Sequence, residues 1–296
     1  MASLKEVRTR LASVRSTRQI TSAMKMVSAA KLRRAQDATI QLRPYANKLL
    51  EILQNLTQTL DDELDCQYGK VRELNRVLLI VISSNKGLCG AFNANIAKRT
   101  QFLIIDEYRE LYKQGNLDII ACGKKAAELL ESSGFDIMET HHDILDDLNY
   151  ERVKVLAKRS MKEFLEKKYD AIKIIYNQFK NAVVQELTVE QFLPIENPKA
   201  GEGEIENENN LNFIFEPSKQ KIIRELIPKS LKIQMFKAFL DSVASEHGAR
   251  MTAMHAATDN ATQLIKDLQL EYNKARQAAI TTEILEIVGG AEALKG

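Results

Sequence analysis

The chain has 296 residues, enough for two domains or for one domain with long arms. A hydrophobic fraction of 45% supports a core of ordinary size. The 42 basic and 40 acidic residues nearly cancel, so the net charge of +2 says little about nucleic acid or membranes. No apolar run approaches the length that spans a bilayer. Cys66, Cys89 and Cys122 form neither a CxxC nor a metal-ligand spacing, so free thiols in a reduced compartment are expected.

Charge distribution is more informative than its total. Through Lys48 there are eleven Lys or Arg residues against only Glu6 and Asp37. Arg- and Ser-rich starts also mark organelle transit peptides. Here the pattern continues through Gln36, too long and too regular for a removable leader, so the start is read as mature protein.

The first segment, 3–60, has no Gly and one Pro, and reads as a long helix. Leu4, Val7, Leu11 and Val14 make an apolar seam on one helix face, interrupted by the polar stretch Arg15–Gln19. The seam is expected to resume at Ile20, Met24 and Val27. Pro44 is expected to bend the helix or mark a junction.

From Arg76 the texture changes. The run Val77–Ile82 is apolar throughout, as in a strand buried on both faces. A Gly-containing turn, Ser83–Gly90, leads to a helix over 91–114. Further strands are predicted at 117–121, 135–138 and 171–176, with helices at 124–132 and 150–168. This alternation argues for a small α/β domain with a mostly parallel sheet. Two more strands are expected at 183–193 and 211–215. Between them, 196–210 is rich in Glu, Asn, Gly and Pro and is predicted to be a mobile acidic loop.

A last element opens at Pro217–Ser218 and runs to about Val288, with a kink expected at Pro228. Some seventy helical residues at ~1.5 Å each would span roughly 105 Å. Its seam runs from Leu240, Val243, His247, Met251 and Met254 to Thr258, Ala261, Ile265, Leu268, Tyr272, Ala275 and Ala279. Steps of three and four over so many repeats imply a partner helix. The first helix is the only other long one, so an antiparallel coiled coil of the two chain ends is expected. Beyond it, Ile280, Ile284, Leu285, Ile287 and Val288 are apolar over too wide an arc for one partner. That tip requires an external sleeve.

Three constellations invite chemistry and each has a plainer explanation. The turn from Ser84 through Lys86 to Gly90 sits where nucleotide loops sit, yet has neither GxGxxG nor GxxxxGK[ST] spacing. A tight strand-to-helix turn is favoured, with Lys86 exposed. His141 and His142 with Asp143, Asp146 and Asp147 read better as a polar turn than as a metal site. His247 on the long seam reads as packed or partner-facing rather than as a catalytic base. No catalytic set emerges. The basic face with Lys25, Lys31, Arg33 and Arg34 lacks interleaved aromatics before Tyr45, which weakens single-strand nucleic-acid binding and favours an acidic protein partner.

Two terminal motifs carry a specific resemblance. The stretch Ile20–Gln36 closely resembles the N-terminal helix of F-type ATP synthase gamma subunits. Arg250–Met254, Ala256–Ala261, Tyr272–Gln277 and Ile280–Glu286 with Gly290–Ala291 are similar to that family's C-terminal helix. The turn Ser84–Asn93 is similar to its central loop. The resemblance implies an α/β class fold: a long antiparallel coiled coil plus a Rossmann-like globular foot. Domains are then expected at 1–60, 70–216 and 217–296. It also implies a non-catalytic rotor inside an alpha/beta hexamer, with a c-subunit ring and an epsilon subunit as further partners. Proton flow through the ring would turn the shaft and drive the catalytic beta sites, and hydrolysis would reverse the cycle.

By the same resemblance, Arg276 and Gln277 match positions that contact the beta chains, and Thr281 and Glu283 lie in the same signature. Met24 and Lys25, with Arg33 and Arg34, would meet an acidic region of the beta chains. Phe213 and Phe215 fall near a ring- and epsilon-facing segment. No cofactor, metal or nucleic acid is expected, and membrane contact is expected only through the ring. The expected place is the cytoplasmic side of a bacterial inner membrane.

Overall fold

The computed structural model describes residues 4–58, 67–195 and 219–293. The predicted loop 196–210 and the predicted strand at 211–215, with Phe213 and Phe215, lie outside the described residues. In chain order the elements are α1 (Leu4–Gln58), β1 (Val77–Ile82), α2 (Phe92–Asp106), α3 (Arg109–Lys113) and β2 (Leu117–Cys122). They continue with α4 (Lys124–Ser132), β3 (Glu139–Thr140), α5 (Asp143–Asp146), α6 (Tyr150–Leu165), β4 (Ala171–Phe179), β5 (Gln185–Leu193) and α7 (Lys219–Ala293). Two compact units result: one of residues up to Ala29 and from Arg250 onward, the other Ala30–Ala249.

The larger unit is built on a five-stranded sheet in the order β3-β2-β1-β4-β5. The pairs β1–β2, β1–β4 and β2–β3 are parallel, while β5 returns antiparallel to β4 as a hairpin. Central β1 is buried at all six residues, which is why its sequence shows no polar alternation. Its side chains point to opposite faces in turn. Leu78, Ile80 and Ile82 pack with Leu156, Met161 and Phe164 of α6 and with Leu231, Met235 and Phe239 of α7. Val77, Leu79 and Val81 pack with Ile96 and Leu103 of α2 and Leu130 of α4. Each such aliphatic side chain contributes about 1.5–3 kcal/mol on burial.

Several predicted boundaries shift for local reasons. The expected strand at 135–138 is displaced to Glu139–Thr140. Phe135 and Ile137 instead pack half-buried on the α2/α4 side, Phe135 with its ring 5.3 Å from that of Tyr112. Apolar residues there serve packing just before the pairing begins. The predicted helix over 91–114 is two helices, α2 and α3, parted at Glu107–Tyr108, and α5 is a short helix that no periodicity announces. The helix from Tyr150 stops at Leu165, and Lys167 at φ 61° turns the chain out of it. Pro44 lies inside α1 and Pro228 inside α7, and neither ends its helix.

Gly123 is the residue the β2–α4 connection cannot change freely. Its φ is 120°, and a Cβ there would stand 2.5 Å from Ser83 Oγ and 2.9 Å from the Ser83 carbonyl carbon. Ser83 Oγ accepts from the Ala126 amide (3.1 Å) and so cannot retreat without uncapping α4. Gly123→Ala is expected to destabilise the protein by about 2–3 kcal/mol through strain and the lost cap. Urea unfolding monitored by circular dichroism measures it, and a change below about 0.5 kcal/mol would contradict the steric account.

In the smaller unit α1 and α7 pair antiparallel. Thr258 Oγ1 donates to Thr21 Oγ1 (2.9 Å), and one turn along α1, Lys25 lies opposite His255. Val7 and Leu11 form a cluster with Ile265 and Leu268, flanked by Val14 and Tyr272. The predicted continuation of the α1 seam is corrected here. Ile20 and Val27 are exposed, at 56% and 57%, whereas Thr21 and Ser28 are buried. Small residues occupy the inner positions because they let the two backbones approach closely. The bulkier apolar residues are left facing outward.

Candidate functional site

The residues with predicted partner roles sit on three stretches. On α1, Met24 and Lys25 are half-buried. Lys25 Nζ lies 3.2 Å from His255 Nδ1, and the same nitrogen is 3.4 Å from Asp259 Oδ2, one turn further along α7. A shallow groove of about 400 Å³ lies beside them, lined by Arg18, Ser22 and Met26 of α1 and by Thr258 and Thr262 of α7. Lys25 thus lies beside an exposed polar pair, and His255 Nδ1 can serve one of its two neighbours at a time. For His255 and Asp259 the sequence offers only one signal, their i,i+4 spacing.

Arg33 and Arg34 are exposed on the part of α1 that belongs to the larger unit. Arg276, Gln277, Thr281 and Glu283 are all exposed near the end of α7. Thr281 Oγ1 donates back to the Gln277 carbonyl (2.9 Å) and Thr282 Oγ1 to that of Ala278 (3.0 Å). Both hydroxyls thus satisfy themselves along the helix. The structure brings these four residues onto consecutive turns of one helix, together with an apolar arc. Ile284, Leu285 and Ile287 are 54%, 65% and 66% exposed among the described residues.

The turn after β1 closes on itself. Asn93 Nδ2 donates to Ser84 Oγ (2.8 Å) and Asn93 Oδ1 accepts from the Ser84 amide (3.1 Å). Ser84 Oγ in turn donates to the Lys86 carbonyl (2.7 Å), and Leu88 and Gly90 take φ near 60°. Asn85 Oδ1 accepts from the Lys124 amide (3.2 Å) and the Ser84 carbonyl from the Lys125 amide (3.0 Å), so the first amides of α4 are engaged by the same turn.

In doubly wound folds ligands enter where adjacent strands lead to opposite sides of the sheet. Here that place is the carboxyl ends of β1 and β4, and α7 sits on it. Ser242 Oγ donates to the Ile82 carbonyl (3.5 Å) and Ser245 Oγ to that of Asn177 (2.9 Å).

The histidine turn is tied to the β1 turn through Asn85 rather than through its imidazoles. His141 Nε2 lies 3.2 Å from Glu139 Oε1, and Asn85 Nδ2 donates to the His142 carbonyl and to Asp146 Oδ1, both at 2.9 Å. Among the described residues no three His, Cys, Asp or Glu side chains are placed to hold a metal ion. Cys89 and Cys122 are buried and not joined in a disulfide, and burial pushes the Cys122 thiol well above its ordinary value. His247 is half-buried on α7. Among the described residues no helix is long and apolar enough to cross a membrane.

The described residues combine a mixed α/β sheet domain with two long helices whose terminal stretches pair antiparallel. A chain of the Euglena gracilis mitochondrial ATP synthase, solved as OSCP, F1 and c-ring in rotational state 3, has this fold. Its TM-score is 0.65 at 22% identity, covering 98% of this chain and 94% of that one. A chain of the Tetrahymena thermophila central stalk and c-ring aligns with a TM-score of 0.58 at 22% identity, over 80% and 99%. The family model described as ATP synthase matches residues 3–294. ATP synthase gamma chains of Christiangramia forsetii and Flavobacterium johnsoniae are 55% and 54% identical over 100% of both chains in each case. The chain belongs to the ATP synthase gamma chain family. By that membership it is a subunit of an ATP synthase.

Proposed function

We infer that the chain turns inside an alpha/beta hexamer and couples ion flow through a c-subunit ring to ATP synthesis or hydrolysis at the beta subunits. The carrying observation is the end of α7, where Ile280, Ile284, Leu285, Ile287 and Val288 stand exposed among the described residues. Burial of each in an apolar sleeve would contribute about 1.5–3 kcal/mol, which favours seating in a socket. Arg276, Gln277, Thr281 and Glu283 would supply the directional contacts at that socket. Met24 and Lys25, and further along α1 Arg33 and Arg34, would face acidic segments of the beta chains, where charge complementarity fixes orientation. Because the shaft is asymmetric, it offers each catalytic site different contacts at each angle, and those differences shift each site's preferred state.

On this reading 1–60 and 217–296 serve as the coiled-coil arms and tip. Residues 70–216 serve as the foot, with Phe213 and Phe215 toward the ring and an epsilon subunit. The chain would be peripheral, on the cytoplasmic side of a bacterial inner membrane. The test is affinity purification from the host in mild detergent, scoring stoichiometry and ATPase activity. One copy per three alpha and three beta chains, with ATPase present, is expected. A lone chain, a chain binding nucleotide saturably, or one carrying nucleic acid without ATPase chains would overturn it.

A further inference from the structure

A rotor that passes torque between a globular domain and a helix needs a seat in which the helix cannot spin. Apolar contacts alone are a poor lock, because they are non-directional and can be exchanged for similar ones as a helix turns about its axis. The stretch of α7 within the larger unit has apolar contacts through Leu231, Met235, Ala238 and Phe239, but also a ladder of directional ones on one face. Gln234 Nε2 donates to Glu190 Oε1 (2.8 Å) and to the Gln191 carbonyl (3.2 Å) on β5. Two turns on, Ser242 Oγ reaches the Ile82 carbonyl at the end of β1, and one turn further Ser245 Oγ reaches the Asn177 carbonyl on β4. Serine arms are short, so each bond ties the helix backbone itself to the sheet.

Gly248 completes the face. A glycine inside a helix is less favourable than alanine by roughly 0.5–1 kcal/mol, so its presence calls for a packing reason. A Cβ at Gly248 would meet the Ala182 Cα and carbonyl oxygen at 3.3 Å and the Phe179 ring at 3.5 Å. Backbone thus meets backbone where the β4–β5 turn crosses α7, and a notch of this kind admits one rotational setting of the helix. Turning α7 by one residue, about 100°, breaks both serine bonds and drives a side chain into the turn.

We propose that the Ser242–Ser245–Gly248 face of α7, seated on the ends of β1 and β4 and against Ala182, is the torsional lock through which the α/β domain and the shaft helix exchange torque. The three are positioning residues, and the proposal rests on the rotor reading above. The experiment uses the whole ATP synthase reconstituted into vesicles, measuring ATP hydrolysis and ATP-driven ion pumping in parallel, with rotor torsional stiffness measured on single complexes. In Gly248→Val the pumping-to-hydrolysis ratio is expected to fall by about fivefold or more at unchanged hydrolysis, with a softer rotor. Ser242→Ala/Ser245→Ala, which adds no bulk, is expected to lower the ratio by about twofold or more, and Gly248→Ala, whose single Cβ presses on the Ala182 backbone, to lower it by less than Gly248→Val.

Should Gly248→Val fail to assemble, the double serine variant decides. A ratio and stiffness equal to the parent in that variant, or hydrolysis and pumping falling together in step with a lowered melting temperature, would overturn the lock. Failure of the rotor reading looks different: the unsubstituted chain itself would bring no ATPase into the vesicles.

Discussion

Replacing Arg276 and Gln277 together by alanine is expected to leave the isolated chain folded and to impair the assembled machine. Both side chains are exposed on α7, so the substitutions remove little that the folded chain uses. Changes of that kind stay within about 0.5 kcal/mol of the parent. In a socket the same guanidinium and amide would be desolvated and paired, and truncation would leave their partners unsatisfied. ATP-driven pumping or hexamer assembly should fall by about tenfold, the loss that ~1.4 kcal/mol of contact energy carries. Thermal melting of the free chain and pumping by the reconstituted complex separate the two effects. Unchanged assembly and pumping would remove Arg276 and Gln277 from the contact.

Phe164→Ala is expected to act in the opposite way, on the fold and only through it on the function. The Phe164 side chain is fully buried in the α6/α7 side of the core, and the Arg72 guanidinium stands 4.8 Å over its ring. Arg72 also donates to the Phe164 carbonyl (3.1 Å), so the segment leading into β1 is fastened at this ring. Truncation to alanine creates a cavity under α6 and costs about 3–5 kcal/mol. Denaturant unfolding should show a midpoint shift of that size with an unchanged slope. A cost under about 1 kcal/mol would mean that the site collapses around the gap.

Much of this architecture was legible before any coordinate. Val77–Ile82 lacks polar alternation because β1 is covered on both faces, and that composition can be read directly. The step pattern of Met254, Ala261, Ile265 and Leu268 marked the buried line of α7, and all four are buried. The wide apolar arc after Ala279 could be recognised because no single partner helix covers such an arc. Local rules of this kind need only neighbours in sequence.

Tertiary structure decided the rest. Ile20 and Val27 read as core by hydrophobicity alone, yet they face outward and Thr21 and Ser28 face in. Close approach of two backbones selects small side chains, a criterion that hydrophobic periodicity does not weigh. Phe135 and Ile137 read as a strand but pack ahead of one, because pairing depends on the partner strand and not on the segment. The link from Lys25 to His255 spans 230 positions of sequence and exists only once the ends meet.

The sequence by itself determined the two long terminal helices, the buried parallel strands and the apolar tip, because these follow from periodicity and composition along the chain. Only the folded arrangement decided that Ser242, Ser245 and Gly248 lie on the carboxyl ends of β1 and β4. Nothing in two serines and a glycine at helical spacing signals a destination. The contact depends on strands more than sixty residues away, and on how closely two backbones can pass.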